Sequence, residues 1–308
     1  MMQLGRQFIF LCLLAVLFCS AAKAANDRGF LWQVSSEDAI VYVLGSIHFA
    51  DKSFYPLRAE IEQAFERSEF LVVELDITAV TAEKYNSLLA SKGTYNNGRS
   101  IEDELSAETM SALHKRLESL GINYDNVKQL KPGMMVLTLT SVQLMQLGLD
   151  PALGIDLHFI NASRTTDKKA DSQVDSKQLI ELETIEQQLN LFLDISDGDL
   201  LLKETLHSMH EAETMMSDIV RYWKSGDEAA MNRLLFEDTL RDYPAFDIIY
   251  ESLFYERNRQ MTEKIAAMLK QPERKGAAYF VVVGSGHLIG DRGIVNLLKQ
   301  KGYSAKRL

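Results

Sequence analysis

The stretch "AIVYVLGSIHFAD" at residues 39–51 has the pattern of a buried strand that ends abruptly in a loop. Its first half is continuously apolar and rich in β-branched residues, which is typical of a strand covered by helices on both faces. Gly45 permits a sharp exit from the strand, and His48 follows three positions later. A second stretch, "YFVVVGSGHLIGDRG" at 279–293, repeats this arrangement and carries His287. The two ends of the chain are therefore predicted to contribute neighbouring strands to one sheet.

Three segments in all have the pattern of buried strands, at 39–44, 69–75 and 277–283. Each is apolar and is bounded by polar or turn residues. Between the first two, the sequence at 55–69 has apolar residues at the spacing of an amphipathic helix, with Pro56 suited to its first turn. A strand, a helix and a strand in so short a span predict a βαβ unit.

Most of the middle of the chain has helical periodicity. The clearest patterns lie at 106–121, 131–148, 179–193, 199–223, 227–241 and 246–270. The polar, aperiodic segment 161–178 is predicted to be a loop. The predicted fold class is α/β, or α+β, with a central and mostly buried sheet built from both chain ends and flanked by helices. We expect one domain at 25–308, with its core at 25–80 and 271–308 and a large helical insertion at about 81–270.

Residues 1–24 are predicted to be a secretory signal peptide that is cleaved after Ala24. Arg6 precedes an apolar run of 12 residues at 8–19, and small residues lead to the cleavage site. The run is short for a membrane span, which needs about 20 residues, although an uncleaved anchor remains open. We therefore expect a periplasmic or secreted protein, attached to a membrane only if this segment is retained.

Composition narrows the classes of function. Both cysteines, Cys12 and Cys19, lie in the predicted signal peptide, so the rest of the chain has no disulfide, thiol nucleophile or thiolate metal ligand. Removing residues 1–24 takes away two of the 33 basic residues and none of the 43 acidic residues, which leaves a net charge of −12. Such a balance argues against binding to nucleic acid and to anionic lipid. We expect a peptide or small-molecule substrate, and the sequence does not predict the oligomeric state.

Three polar residues are predicted to meet at the ends of the buried strands. His48 and His287 follow two of them, and Glu74 ends the third, where burying a lone carboxylate would be costly without a partner. In an open α/β sheet, ligands collect beyond the carboxyl ends of the strands. Gly45 and Gly284 would let the backbone approach a bound group closely. Two imidazoles and a carboxylate can hold a divalent metal that activates water, while a metal-free general-base role for one histidine stays open.

Other polar residues carry weaker signals. His207 and His210 are spaced to share one helix face, but their surroundings favour a solvated face. Asp156 follows the turn at Pro151, where a helix cap and a site residue are both open interpretations. Ser285 lacks the surrounding glycines of a nucleophile elbow, so a serine hydrolase is not predicted.

A series of motifs in order along almost the whole chain resembles the TraB/GumN family, which includes the animal TIKI proteins. The matching stretches are "LGSIHFAD", "VVELD", "KPGMMVLTL", "GIDLHF", "LETIEQQ", "VRYWKSGDEAAMNRL", "RNRQM" and "FVVVGSGHLIGDRGIVNLLKQKGY". The family often has tryptophan at the position of Gly133, and it usually has an apolar strand where this chain has the polar "SKQLIELET" at 176–184. These differences concern the substrate rather than the metal centre.

The resemblance implies that His48, Glu74 and His287 form the active centre of a TIKI-type metal-dependent protease. It favours Mn²⁺ or Co²⁺, with Zn²⁺ as a further candidate. The family's Arg-Asn pair matches Arg257 and Asn258, which would bind a substrate carboxylate or carbonyl or orient Glu74; a surface ion pair is the alternative.

Two functions follow as hypotheses. The first is an exported metal-dependent hydrolase that cleaves a peptide bond. The second is a non-catalytic protein on the same fold that binds a peptide or ligand. The resemblance allows for the second, since related bacterial members inhibit peptide pheromones or assist polysaccharide production.

Overall fold

The computed structural model describes residues 27–96, 98–164, 177–194, 197–209, 211–242 and 244–308. The predicted signal peptide, most of the predicted loop at 161–178, and His210 lie outside the described residues. No helix in the described ranges is long and apolar enough to cross a membrane.

A six-stranded mixed sheet forms the centre of the described chain. Its strands are β1 (Phe30–Ser35), β2 (Ala39–Ser46), β3 (Phe70–Val73), β4 (Gln178–Glu181), β5 (Ala277–Gly284) and β6 (Ser304–Arg307). They lie in the order β4-β3-β5-β2-β1-β6. The four strands from β4 to β2 run parallel, whereas β1 pairs antiparallel with both β2 and β6. The three predicted strands are confirmed as β2, β3 and β5, and so is the fold class.

The sequence prediction missed three strands, namely β1 and the two edge strands β4 and β6. The predicted loop at 161–178 and the predicted helix at 179–193 were wrong in part. Residues 161–164 continue a helix, Gln178–Glu181 forms β4, and the next helix starts only at Ile185. As an edge strand, β4 is polar and only half-buried, so its sequence lacks the apolar pattern of an inner strand, and pairing with β3 supplies its hydrogen bonds.

The helices occupy the connections and most of the middle of the chain. The α-helices are α1 (Ala59–Glu66), α2 (Ala82–Leu88), α3 (Ala107–Leu120), α4 (Pro132–Gln146), α5 (Ile155–Arg164), α6 (Ile185–Leu193), α7 (Gly198–Ser208), α8 (Ala212–Ser225), α9 (Glu228–Asn232), α10 (Asp238–Asp242), α11 (Asp247–Tyr250), α12 (Glu256–Met268) and α13 (Ile294–Gln300). Turns of π-helix at Leu89–Gly93, Arg233–Glu237 and Glu251–Tyr255 extend or join them. The predicted helical middle is confirmed, and α11, the third π turn and α12 together form the helix predicted at 246–270.

The apolar residues form a main core around the sheet and a second core among the middle helices. In the main core, Phe280 of β5 packs against Phe65 of α1 and Phe159 of α5. The second core includes Leu113 of α3, Met135 of α4 and other buried residues of these helices. The helices that pack on the sheet therefore come from the middle of the chain as well as from its ends.

Gly133 allows α4 to pack closely against α6. A Cβ atom at Gly133 would overlap the carbonyl oxygen of Phe192. We expect Gly133→Ala to lower the free energy of unfolding by about 1–3 kcal/mol through overpacking, although helix propensity alone predicts a gain of up to about 1 kcal/mol. Urea unfolding would measure the change, with Met145→Ala at the exposed end of α4 as the control. An equal or higher stability of Gly133→Ala would contradict the close packing.

Candidate active site

The parallel strands β2, β5 and β3 are neighbours, so their carboxyl ends meet at one end of the sheet. His48 follows β2, Glu74 directly follows β3, and His287 ends the 3₁₀ turn Ser285–His287 after β5. The structure thus brings together the three residues that the sequence predicted to meet.

Glycine keeps the space between these three residues open. A Cβ atom at Gly284 would lie 3.4 Å from Oε1 of Glu74, 3.6 Å from Nε2 of His48 and 3.6 Å from the ring of His287. A Cβ atom at Gly45 would lie 2.8 Å from the hydroxyl of Ser285, so the two Gly-Ser stretches pack directly against each other. Gly45 therefore serves the close packing of the two strand ends, and the predicted approach of the backbone to a bound group at Gly45 and Gly284 stays a prediction.

A chain of hydrogen bonds fixes the orientation of His287. Its Nδ1 lies 2.6 Å from Oδ1 of Asn258, and Nδ2 of Asn258 donates to the carbonyl oxygen of Arg292 at 2.9 Å. Because that carbonyl can only accept, the amide oxygen must face His287, and Nδ1 must be the protonated nitrogen. Burial lowers the pKa of His287 to about 4 in spite of the nearby Glu74 carboxylate. The imidazole is therefore neutral at pH 7, and its Nε2 presents a lone pair 3.9 Å from Oε2 of Glu74.

His48 is held from the opposite side by Asp156. Its Nδ1 lies 3.2 Å from Oδ1 of Asp156, which stands in the first turn of α5. Burial opposes protonation, but the carboxylates of Asp156 and then Glu74 raise the pKa of His48 to about 9. The side chain is 54% exposed, so water screens part of this attraction. Gly154 brings α5 close, since a Cβ atom there would lie 2.5 Å from the carbonyl oxygen of His48.

Glu74 is an ionised and buried carboxylate. Its Oε1 accepts a hydrogen bond from the backbone N–H of Gly284 at 2.6 Å, and its Oε2 accepts one from Nη2 of Arg257 at 2.6 Å. Burial raises its pKa, but His287, His48, Arg257 and the Gly284 N–H together lower it to about 2. The predicted orienting role of Arg257 is thus present as a contact, and the ion pair is buried rather than on the surface.

Glu183 and Gln188 are site residues that the sequence prediction missed. Arg257 donates from Nε and Nη2 to the two oxygens of Glu183, each at 2.7 Å. Gln188 donates to Oε2 of Glu183 at 3.1 Å and lies 3.5 Å from Oε2 of Glu74. Both belong to the "LETIEQQ" motif, where Thr184 and Gln187 form a capping box at the start of α6. The residues of a capping box can be recognised in a sequence and mark where a helix begins. Here they would have placed Glu183 between the end of β4 and the start of α6.

Two other residues considered from the sequence, His207 and Ser285, do not belong to this group of three. His207 is exposed on α7 and lines a separate cavity with residues of α3. The hydroxyl of Ser285 donates to the carbonyl oxygen of Ser46 at 2.9 Å, which agrees with the prediction that it is not a nucleophile.

The donor set suits a divalent metal ion in its chemistry. Nδ1 of His287 lies against Asn258 and Nδ1 of His48 lies against Asp156, an arrangement common among metal-binding histidines. His287 presents a free lone pair on Nε2, whereas the raised pKa of His48 means that its ring must lose a proton before Nε2 can bind a metal ion. Glu74 adds a carboxylate oxygen beside them. As they stand, no three His, Cys, Asp or Glu side chains in the described part of the chain are gathered closely enough to hold an ion. Hydrogen bonds from Gly284 and Arg257 engage both oxygens of Glu74.

The three residues lie at the polar end of a cavity of about 480 Å³. Its walls are mainly apolar side chains of the middle helices, including Leu144, Leu191 and Phe192. A cavity of this size with few polar groups is typical of a small-molecule or peptide-segment site.

Comparison with known proteins gave one family and several distant relatives. The sequence model of the TraB/PrgY/gumN family matches residues 30–307. "Metalloprotease TIKI2" of Xenopus tropicalis is 24% identical over 94% of this chain and 61% of its own length. "Metalloprotease TIKI1" of the same species is 21% identical, over 91% of this chain and 62% of its own length. An uncharacterized protein of Treponema pallidum (strain Nichols) is 20% identical over 95% of this chain and 90% of its own length.

The chain therefore spans less than two thirds of the length of the two TIKI proteins. No solved structure matches the chain.

Proposed function

The chain belongs to the TraB/PrgY/gumN family, and we propose that it is an exported metal-dependent hydrolase that cleaves peptide bonds. The observation that carries the proposal is the meeting of two oriented imidazoles and an ionised carboxylate at the ends of three parallel strands. The relatives named metalloproteases support the reaction class at 20–24% identity. Export rests on the predicted signal peptide. Fractionation of a host with mass spectrometry would test export: we expect the protein outside the cytosolic fraction with an N-terminus at Ala25, whereas protein found only in the cytosolic fraction with an intact N-terminus would contradict export.

In this proposal His48 and His287 would hold the ion through Nε2, and Glu74 through a carboxylate oxygen. When bound, the ion lowers the pKa of a water molecule and polarises the substrate carbonyl. Mn²⁺ or Co²⁺ is favoured by the family, and the mixed nitrogen and oxygen donors also suit Zn²⁺. Hydrolysis adds water across the peptide bond, so that the carbonyl carbon gains the oxygen and the leaving nitrogen gains a proton.

The protein itself supplies orientation and exclusion of water. Asn258 and Asp156 contact the Nδ1 atoms of the two rings, with Nε2 of His287 beside Glu74 and Nε2 of His48 beside Gly284. Arg257 keeps Glu74 ionised and in place. The apolar walls of the cavity limit the access of water to Glu74 and His287, whose side chains are 8% and 5% exposed, and this strengthens their electrostatic effect on a bound substrate.

A peptide-library assay on the purified protein without residues 1–24 would test the proposal. We expect cleavage that requires Mn²⁺, Co²⁺ or Zn²⁺, stops with chelator, and is absent from a His48→Ala, His287→Ala double variant. Cleavage that resists chelator would instead favour a metal-free reaction with His48 as the general base, and its raised pKa predicts that this reaction is faster at alkaline pH. If the protein cleaved nothing and matched the double variant, the hydrolase proposal would be dropped in favour of a non-catalytic peptide-binding or pheromone-inhibiting protein.

Asn258 offers a test of metal binding that does not depend on turnover. We expect Asn258→Ala to weaken Mn²⁺ binding about 10-fold to 100-fold, because His287 loses the partner that fixes its protonated nitrogen. Isothermal titration with MnCl₂ would measure the dissociation constant. Gln260→Ala is the matched control, since Gln260 is exposed on the same helix and bonds to Glu256. Equal affinities for the two variants would contradict the role of Asn258.

A further inference from the structure

A second cavity meets the first one at the candidate active site. It has a volume of about 470 Å³, against about 480 Å³ for the first. Both cavities are lined by His48, Phe49, Glu74 and Gln188. The polar groups therefore lie at the junction of two cavities rather than at the bottom of one.

Both cavities are walled mainly by apolar side chains, but of different kinds. The first has long, flexible and aromatic side chains, among them Met216, Leu235 and Phe254. The second has side chains from strand ends, from the turn before α5 and from α5 itself, among them Val73, Pro151 and Leu157. Each volume is large enough for an apolar side chain and its neighbouring backbone.

The charged groups of this cleft are already paired with one another. Arg257 lines the first cavity, but its guanidinium donates to Glu74, Glu183 and the carbonyl oxygen of Leu253. In the second cavity, Asp156 forms an ion pair with His48 at 3.2 Å, although its Oδ1 accepts no hydrogen bond from the described residues. Among the described residues that line the two cavities, none offers an unpaired charge to a terminal ammonium or carboxylate. Burying such a terminus without a counter-ion would be costly.

A buried hydroxyl without a hydrogen-bond partner lies in the wall of the first cavity. Ser46 is 2% exposed and lines the first cavity, and its hydroxyl has no hydrogen-bond partner among the described residues. Its counterpart in the second Gly-Ser stretch, Ser285, is satisfied by the carbonyl oxygen of Ser46. A buried hydroxyl left unpaired is destabilising, and a peptide carbonyl or N–H group would satisfy it.

We infer that this cleft takes the interior of a polypeptide, with an apolar side chain in each cavity on either side of the cleaved bond and no chain terminus at the site. The inference rests on the proposed hydrolase function and specifies its substrate. It makes the protein an endopeptidase selective for apolar neighbours of the cleaved bond.

Quenched fluorescent decapeptides, blocked at both ends, would test this with Mn²⁺-loaded protein. We expect peptides with a central Leu-Phe pair to be cleaved at that pair as fast as peptides with free ends. Replacing either central residue with serine should lower kcat/KM about tenfold or more, since each loses an apolar side chain from its cavity. A requirement for a free terminus, or equal cleavage beside serine, would overturn the inference while leaving the hydrolase proposal intact.

Failure of the hydrolase proposal would look different, because the wild-type protein would then cleave no peptide. Binding of a labelled, blocked Leu-Phe peptide, measured by fluorescence anisotropy, would still decide the inference about the cleft. At least tenfold weaker binding of the serine-substituted peptides supports it. Equal binding overturns it.

Variants that fill one cavity each would test the two-sided arrangement. We expect Leu235→Trp to reduce kcat/KM for a large residue on one side of the bond, and Ala152→Trp to do so on the other side. Ile248→Trp is the control, because Ile248 is 77% exposed. Thermal unfolding checks that each variant is folded. If both filling variants affected the same side, or neither changed the selectivity, the two-sided binding would be ruled out.

Discussion

Replacing His287 with alanine is expected to lower kcat/KM for peptide hydrolysis about a thousandfold, the order expected when a positioned catalytic group is lost. His287 is 4% exposed, neutral and oriented by Asn258, so its Nε2 is fixed in position and alanine removes a preorganised group. The same variant should lose most of its affinity for Mn²⁺. Steady-state kinetics and metal titration would measure the two effects.

His114→Ala is the matched control for this experiment. His114 is exposed on α3 and contacts Tyr124. Tyr124 packs against the second core rather than at the strand ends. We expect its activity and metal affinity to equal those of the wild-type protein. Thermal unfolding would first confirm that His287→Ala is folded. If the folded variant then bound Mn²⁺ as tightly as His114→Ala, the metal centre would be contradicted.

Replacing Arg257 with methionine is expected to lower the free energy of unfolding by about 3–5 kcal/mol, the range found when one partner of a buried ion pair is removed. The change leaves Glu74 and Glu183 side by side, at 8% and 9% exposure, with no guanidinium between them. We also expect Arg257→Lys to be a poor substitute, because one ammonium group cannot reproduce the forked contacts to both carboxylates. Urea unfolding at neutral pH would measure the losses.

Arg259→Met, two positions further along α12, serves as the control. Arg259 pairs with Glu251 and Glu256, but its side chain is 47% exposed. Exposed ion pairs contribute about 0–1 kcal/mol, so this variant should be nearly as stable as the wild-type protein. Similar losses of unfolding free energy in the two variants would show that the buried ion pairs of Arg257 stabilise the protein no more than exposed ones.

The inner parallel strands β2, β3 and β5, and the meeting of His48, Glu74 and His287 at their ends, were predictable because a strand buried on both faces has a recognisable local sequence. A strand covered on both faces is continuously apolar, and the glycine and histidine that follow it mark its end. Parallel neighbours then place such ends together without further information.

The edge strands and the charged network around Glu74 could not be predicted in the same way. β4 is polar, and it is a strand because β3 pairs with it. Arg257 and Glu183 are 74 positions apart in sequence, and only the packing of α12 beside the end of β4 brings them into contact. For Asp156, the sequence left open whether it caps a helix or belongs to the site. Only the structure shows that α5 lies close enough to His48 for Asp156 to pair with it.

Diffraction from crystals soaked in MnCl₂ would test the metal site most directly. An anomalous difference map should show one peak at the carboxyl ends of β2 and β5, bonded to Nε2 of both His48 and His287 and to an oxygen of Glu74. No peak at this place, or a peak bonded to neither histidine, would contradict the metal centre.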